Sequence, residues 1–266
     1  MAAMGRNYPE TIDIEGRPYR RERVLKEDFF SVNVLYRHEE DRYVLKLSDF
    51  RFIGGWLLRP LAMWMSRHEY RVYRRLEGIP GIPRLGPRCS FRGYLHHFIP
   101  GRTLAELAAL PPGQRRRALP EDFFERLRRT LDEIHRRRVF YADLDKRGNI
   151  ILGDDGRPYL IDFQISLRFP PEGSWLGRRL EPLFRTLKGE DIYHLYKQKR
   201  RFLPDSLTEE EQRLARRTEF SHRFNRFFGD RYRRLKRLLY PKGSNDLIWW
   251  KAKRRTREGT IQPPRD

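Results

Sequence analysis

The sequence predicts an α+β fold in which a small antiparallel sheet precedes a mostly helical region, as one domain of two lobes. Three observations carry this reading. Tyr19 to Leu47 breaks into β-prone segments separated by polar turns. Apolar residues then recur at helical spacing, first at Leu61, Met65, Val72 and Leu76, and again at Phe123, Leu127, Leu131 and Ile134. A chain of 266 residues is ample for a sizeable core without requiring a second domain.

Taken in order, strands are expected at Arg20 to Leu25, Phe29 to Tyr36 and Tyr43 to Leu47. Lys46 lies in the last of these, within Val44-Leu45-Lys46-Leu47. On an alternating strand such a lysine faces either water or a cleft, where it binds phosphates as a point charge. Leu58 to Leu76 reads as a helix. Glu69 falls four residues after Met65 and three before Val72, on the apolar face. A buried carboxylate needs a partner, and Lys46 is one candidate beside Arg71 and Arg74 on the helix edge. Ser90 to Phe98 reads as a strand pair ending at Ile99-Pro100-Gly101, where the lobes join. Thr103 and Glu106 have the spacing of a capping box at the next helix start. The helix through Phe123 and Ile134 would then back the loop that follows it.

That loop opens the most informative stretch, Phe140 to Gln164 (FYADLDKRGNIILGDDGRPYLIDFQ). Ile150-Ile151-Leu152 and Tyr159-Leu160-Ile161 flank Asp154-Asp155-Gly156, a hairpin signal. The hairpin would bring Asn149 at its entry and Asp162 at its exit to one end of a ribbon. With Asp143 these are oxygen-bearing side chains on loops, the kind of donor set that magnesium and a nucleotide phosphate tail require. An isolated hairpin with solvated acids would look the same, so the flanking residues decide.

The stretch resembles the catalytic loop and metal-binding hairpin of the protein-kinase-like superfamily, in which His-Arg-Asp, an Asn and Asp-Phe-Gly follow one another. Tyr141-Ala142-Asp143, Asn149 and Asp162-Phe163-Gln164 stand in those places. The resemblance covers about Tyr19 to Tyr196. It implies a bilobal protein-kinase-like fold that uses ATP and Mg²⁺. Asp143 would orient the acceptor hydroxyl, Asn149 and Asp162 would hold magnesium, and Lys46 paired with Glu69 would bind phosphates. It further implies adenine binding by backbone groups near His97 and Ile99, and phosphate contact by Ser31. Asp191 resembles the helix Asp that anchors the catalytic loop, although an acid at a helix N-terminus, favoured by the dipole, would also suit it. Four departures stand out. One extra residue separates Asp143 from Asn149, Gln164 replaces the glycine, Tyr141-Ala142 replaces His-Arg, and Lys26 to Asn33 contains no glycine. The missing arginine argues against control by activation-segment phosphorylation.

The implied organisation is an N-terminal extension over 1–18, an N-lobe over 19–98, a C-lobe over 99–250 and a charged, disordered tail over 251–266. Lys plus Arg number 57 against 36 Asp plus Glu, a net charge of +21. Such a field attracts phosphorylated substrates, nucleic acid or an anionic membrane. The basic residues are spread along the chain without a recognition motif, which disfavours nucleic acid. A lone cysteine, Cys89, excludes a disulfide framework and suits the cytoplasm. Aromatic residues beside arginine around Trp56, from Phe220 to Leu239 and at Trp249-Trp250 fit either helical packing or a membrane interface on the inner face. Three functions follow: ATP-dependent phosphoryl transfer to a lipopolysaccharide-type sugar or other membrane-linked hydroxyl, as in lipopolysaccharide-core kinases; a protein Ser/Thr kinase; or a catalytically degenerate nucleotide-binding scaffold.

Overall fold

The computed structural model describes residues 8–27, 31–48, 59–87 and 93–216. Cys89, the segment around Trp56, Phe220 to Leu239, Trp249-Trp250, the tail from Lys251 and residues 28–30 of the glycine-free turn lie outside them. The described chain is α+β, with a curled antiparallel sheet followed by a largely helical half.

The sheet comprises β1 (Thr11–Ile14), β2 (Arg17–Glu27), β3 (Ser31–His38), β4 (Asp41–Ser48) and β5 (Gly93–His97), hydrogen-bonded in that order. It begins at Thr11, within the stretch that the sequence suggested was an extension. The two-residue connection Glu15-Gly16 has positive φ at both positions, 55° and 79°, as a type I′ hairpin requires. The β2–β3 pairing slips between Arg21 and Arg23 and again between Val24 and Lys26, and such irregularities increase twist. Where a strand pair was expected over Ser90 to Phe98, the described residues form the single strand β5, with Leu85 bridged to His96.

The alternation of strand residues divides the sheet into two faces. Tyr19, Val32, Val34, Tyr36, Leu45 and Leu95 close one face as a core of their own. Asn33, Lys46 and Tyr94 are cross-strand partners and therefore share the other face. Helix α1 (Arg59–Leu76) packs there. Its Tyr73 lies 5.6 Å from Tyr94, centroid to centroid, and stacks on His96 at 5.8 Å.

After β5 come β6 (Gly101–Thr103) and the helices α2 (Leu104–Ala108), α3 (Pro112–Arg117) and α4 (Phe123–Arg136). Thr103 accepts from the Glu106 amide at the start of α2 while Glu106 returns the bond, the expected capping box. Phe123, Leu127, Leu131 and Ile134 of α4 are fully buried. Next are β7 (Val139–Phe140), a 3₁₀ turn (Arg147–Asn149), β8 (Ile150–Gly153), β9 (Pro158–Leu160), β10 (Leu167–Arg168), α5 (Trp175–Phe202) and α6 (Glu209–Leu214). The hairpin β8–β9 gains β6 as a third strand, and β10 pairs with β7. One core runs from α1 through α2 and α4 to α5, and Phe163 and Tyr141 sit inside it. No helix of the described residues is long and apolar enough to cross a membrane.

Gly101 fits β6 against β8 only because it lacks a side chain. Its φ is 152°, and a Cβ there would lie 2.2 Å from the Leu152 carbonyl oxygen. Gly101→Ala is expected to destabilise the protein by about 3 kcal/mol, the upper range for overpacking, measured by urea unfolding; an unchanged midpoint would show that the junction yields freely.

Candidate active site

Three elements meet at Lys46. β4 supplies the lysine, α1 supplies Glu69, and the loop after β9 supplies Asp162. Lys46 Nζ donates to Glu69 Oε1 at 2.7 Å and to Asp162 Oδ1 at 2.8 Å. Lys46 and Glu69 are 4% and 0% exposed, so neither charge can be satisfied by bulk water. Arg71 and Arg74, the other candidate partners of Glu69, are exposed. Burial alone would raise the Asp162 carboxyl, but the Lys46 ammonium outweighs it and holds the group well below the usual carboxylate range. Burial likewise opposes the Lys46 charge, which Asp162 and Glu69 restore, raising the lysine. For Glu69 burial prevails over Lys46 and pushes the carboxyl up. The buried Tyr94 hydroxyl interacts with the Glu69 carboxylate and partly offsets that rise.

The loop bearing Asp143 is clamped from below. Tyr141 and Ala142 donate their backbone N–H groups to Asp191 Oδ2 and Oδ1 at 2.9 and 3.0 Å, and His135 Nε2 lies 3.0 Å from Oδ2. Asp191 lies deep within α5 and is 1% exposed. It is thus the loop's anchor and not a helix N-terminal acid. The anchoring sustains Ala142 at a φ of 72°, a left-handed conformation that costs a non-glycine residue energy. Asp162 is held at a φ of 65°. From above, the Tyr141 hydroxyl donates to the Ile161 carbonyl at 2.6 Å, and Ser166 Oγ donates to the Tyr141 carbonyl at 2.8 Å. Phe163 packs edge-on against both Tyr73 and Tyr141. The Asp143 loop and the Asp162 loop are therefore tied to each other by hydrogen bonds and by packing on Phe163.

Asp143 Oδ2 accepts from Asn149 Nδ2 at 2.8 Å and from Lys146 Nζ at 2.7 Å. Burial raises the Asp143 carboxyl, and Lys146 only partly offsets this. The 3₁₀ turn Arg147–Asn149 takes up the extra loop residue. The Asn149 carbonyl accepts from the Ile161 amide at 3.0 Å, so Asn149 and Asp162 stand at the same end of the hairpin. Asp191 was singled out from sequence, whereas Lys146, His135, Ser166 and Gln198 were not. A lysine three residues after a loop aspartate was the available signal for Lys146. Gln198, which donates to the Asp145 carbonyl at 3.1 Å, carried none.

The remaining sequence candidates are less closely drawn together. Ser31 is buried at the start of β3 and lies two residues from Asn33, on the face that bears Lys46; residues 28–30 before it are not described. The His97 amide donates to the Arg84 carbonyl at 2.9 Å. The His97 carbonyl lies 3.0 Å from His96 Nδ1. Ile99 lies in the connection between β5 and β6, partly buried. The deeply placed histidine is His96, which burial lowers to about 4.

The donor chemistry suits magnesium bound together with a phosphate chain. Asp162 and Asn149 contribute a carboxylate and an amide oxygen, and Mg²⁺ takes few protein oxygens beside those of phosphate and water. Among the described residues no group of three or more His, Cys, Asp and Glu side chains forms a protein-only metal cage. Gln164 Nε2, where a glycine was expected, is buried without a hydrogen-bond partner.

No protein-family model matches the sequence, and no curated protein matches it.

His96 makes stability pH-dependent in a defined window. Its ordinary value is 6.5 and its folded value about 4, so both states are neutral at pH 7. Below 6.5 the unfolded chain gains a proton that the folded one refuses until about pH 4. Stability is therefore lost across that interval, by about 3 kcal/mol in all. Denaturation of wild type and His96→Gln at pH 7 and pH 4.5 should show a smaller acid loss in the variant; equal losses would assign the effect to other groups.

Proposed function

We propose that the protein is a phosphotransferase of the protein-kinase-like superfamily, moving the γ-phosphoryl group of ATP to a hydroxyl acceptor. The observation that supports this best is Lys46, held between Glu69 and Asp162 and close to the clamped loop of Asp143 and Asn149. Phosphoryl transfer is catalysed chiefly by positioning and by electrostatic stabilisation. The side chains gathered here supply both.

In this reading Lys46 carries the phosphate chain as a point charge while Glu69 keeps it aimed. Asn149 and Asp162 would hold magnesium, which when bound neutralises phosphate charge. Asp143 orients the acceptor hydroxyl and takes its proton, and its raised carboxyl suits that exchange better than an ordinary aspartate would. Lys146, bonded to Asp143, would add a positive charge beside the transferred group. Backbone groups near His97 and Ile99 would meet the adenine edge.

The acceptor we favour is a membrane-linked hydroxyl such as a lipopolysaccharide-type sugar, handled by a cytoplasmic protein in peripheral contact with the membrane. What supports this is the short passage from Gln164 to α5, which holds only the two-residue β10 and offers little platform for a peptide. A protein Ser/Thr acceptor is the alternative. A nucleotide-binding scaffold without transfer is favoured by one feature, the glycine-free turn from Lys26 to Asn33.

With labelled ATP and a cell-envelope extract, wild type is expected to label an envelope component. Asp143→Ala should lower turnover by about 10²–10⁴-fold, the range of general base catalysis, with nucleotide affinity nearly unchanged. Asp162→Ala should abolish magnesium-dependent binding. Unchanged turnover in Asp143→Ala would remove its role, and nucleotide binding without any turnover in wild type would favour the scaffold.

A further inference from the structure

The site's outer edge carries a strip of side chains that the chemistry above does not use. On α1, Trp64, His68, Arg71 and Arg75 follow one another at spacings of four, three and four residues and so share one face. That face runs beside the chain that leaves Asp162. His68 Nε2 donates to the Ser166 carbonyl at 2.7 Å, and the Trp64 ring stacks on His68. Next to this contact Ile165 and Leu167 point outward, 51% and 45% exposed, and Trp64 is 61% exposed. Three large apolar side chains thus stand in water at one end of the strip.

The other end is cationic, and two of its three arginines have no carboxylate partner among the described residues. Arg168 pairs with Val139 across β10 and β7, which sets it beside Arg138. Arg138 is 8% exposed and has a carboxylate partner in Glu181 and a carbonyl partner in Pro170 at 3.1 Å. Its Nη2 nonetheless remains buried with no partner. Arg75 closes the group. Its partial burial, with Arg168 and Arg138 nearby, lowers its affinity for its proton, the mark of like charges crowded together. Neither Arg75 nor Arg168 has a carboxylate partner among the described residues.

We propose that this strip is the face by which the protein lies on an anionic phospholipid surface, with Trp64, Ile165 and Leu167 entering the interface and Arg75 and Arg168 taking lipid phosphates. Each half of the strip needs what such a surface provides. Indole and aliphatic side chains gain by leaving water at the headgroup level. Clustered arginines gain from the negative leaflet and from bidentate contact with phosphate oxygens. A soluble anion would answer the arginines and leave the apolar end in water. An apolar partner would do the reverse. The placement also bears on the acceptor: β7 runs directly into the Asp143 loop and β10 follows Asp162, so a lipid-borne hydroxyl would arrive beside the transfer site. That last point rests on the phosphotransferase reading; the docking itself does not.

Sedimentation of the full chain with vesicles tests it. Wild type is expected to bind vesicles containing phosphatidylglycerol, to release from them as salt rises, and to ignore pure phosphatidylcholine. Arg75→Gln/Arg168→Gln should bind roughly thirtyfold more weakly, two interfacial arginines having been lost. Ile165→Ser/Leu167→Ser should lose binding comparably, while Arg20→Gln/Arg23→Gln on the exposed β2 should bind like wild type. Thermal melting of each variant checks folding, and Leu167→Ser alone replaces any double variant that unfolds. Wild type left in the supernatant, strip variants that sediment like wild type, or a strip that takes a soluble phosphopeptide but no vesicle would each overturn the proposal. Because sedimentation needs no turnover, vesicle binding without phosphoryl transfer would defeat the reading of the site and leave the docking face standing. Transfer without vesicle binding would do the opposite.

Discussion

The whole arrangement depends on one buried ammonium. Lys46 sits between two carboxylates from different parts of the fold, Glu69 of α1 and Asp162 of the loop after β9. Desolvating three charges is expensive, and such a group persists only when geometry and hydrogen bonds return the cost. The return here is incomplete: burial still pushes the Glu69 carboxyl up against the pull of Lys46. A well-packed apolar trio would serve stability at least as well. The lysine is therefore best explained by what it does: it ties the sheet, α1 and the Asp162 loop to a common point and presents a positive charge there.

A second constraint holds the acidic side of the site. Asp191 reaches out of α5 to two consecutive amides and a histidine. It thereby fixes the loop that carries Asp143 to the long helix α5. The positive φ values at Ala142 and Asp162 are affordable because Asp191, Tyr141 and Ser166 overdetermine the backbone on both sides. Asp143 and Asp162 are consequently positioned by the same core, centred on Phe163, and not by two independent loops.

Much of this could be read from the amino-acid order, because the informative residues are local punctuation. Asp154-Asp155-Gly156 announced the hairpin that brings Asn149 to Asp162, and the apolar face of α1 made Glu69 a buried carboxylate in search of a cation. Thr103 and Glu106 announced a helix start. What could not be read arises from tertiary contact. Thr11–Ile14 is too short to stand out as a strand and becomes one by pairing with β2. Ser90 to Phe98 has the composition of two strands, while its described part forms one, because Leu85 occupies the place beside His96. The choice between anchor and helix-start acid for Asp191 turned on where α5 begins, and its start at Trp175 lies well before any signal near Glu190.

The claim that Lys46, Asn149 and Asp162 serve one triphosphate is tested most directly by a crystal structure of the protein with magnesium and a non-hydrolysable ATP analogue. The account predicts phosphate oxygens within hydrogen-bond reach of Lys46 Nζ, with the metal bound by Asn149 and Asp162. A nucleotide bound elsewhere, or a Lys46–Asp162 contact left undisturbed beside an empty cleft at saturating analogue, would contradict it.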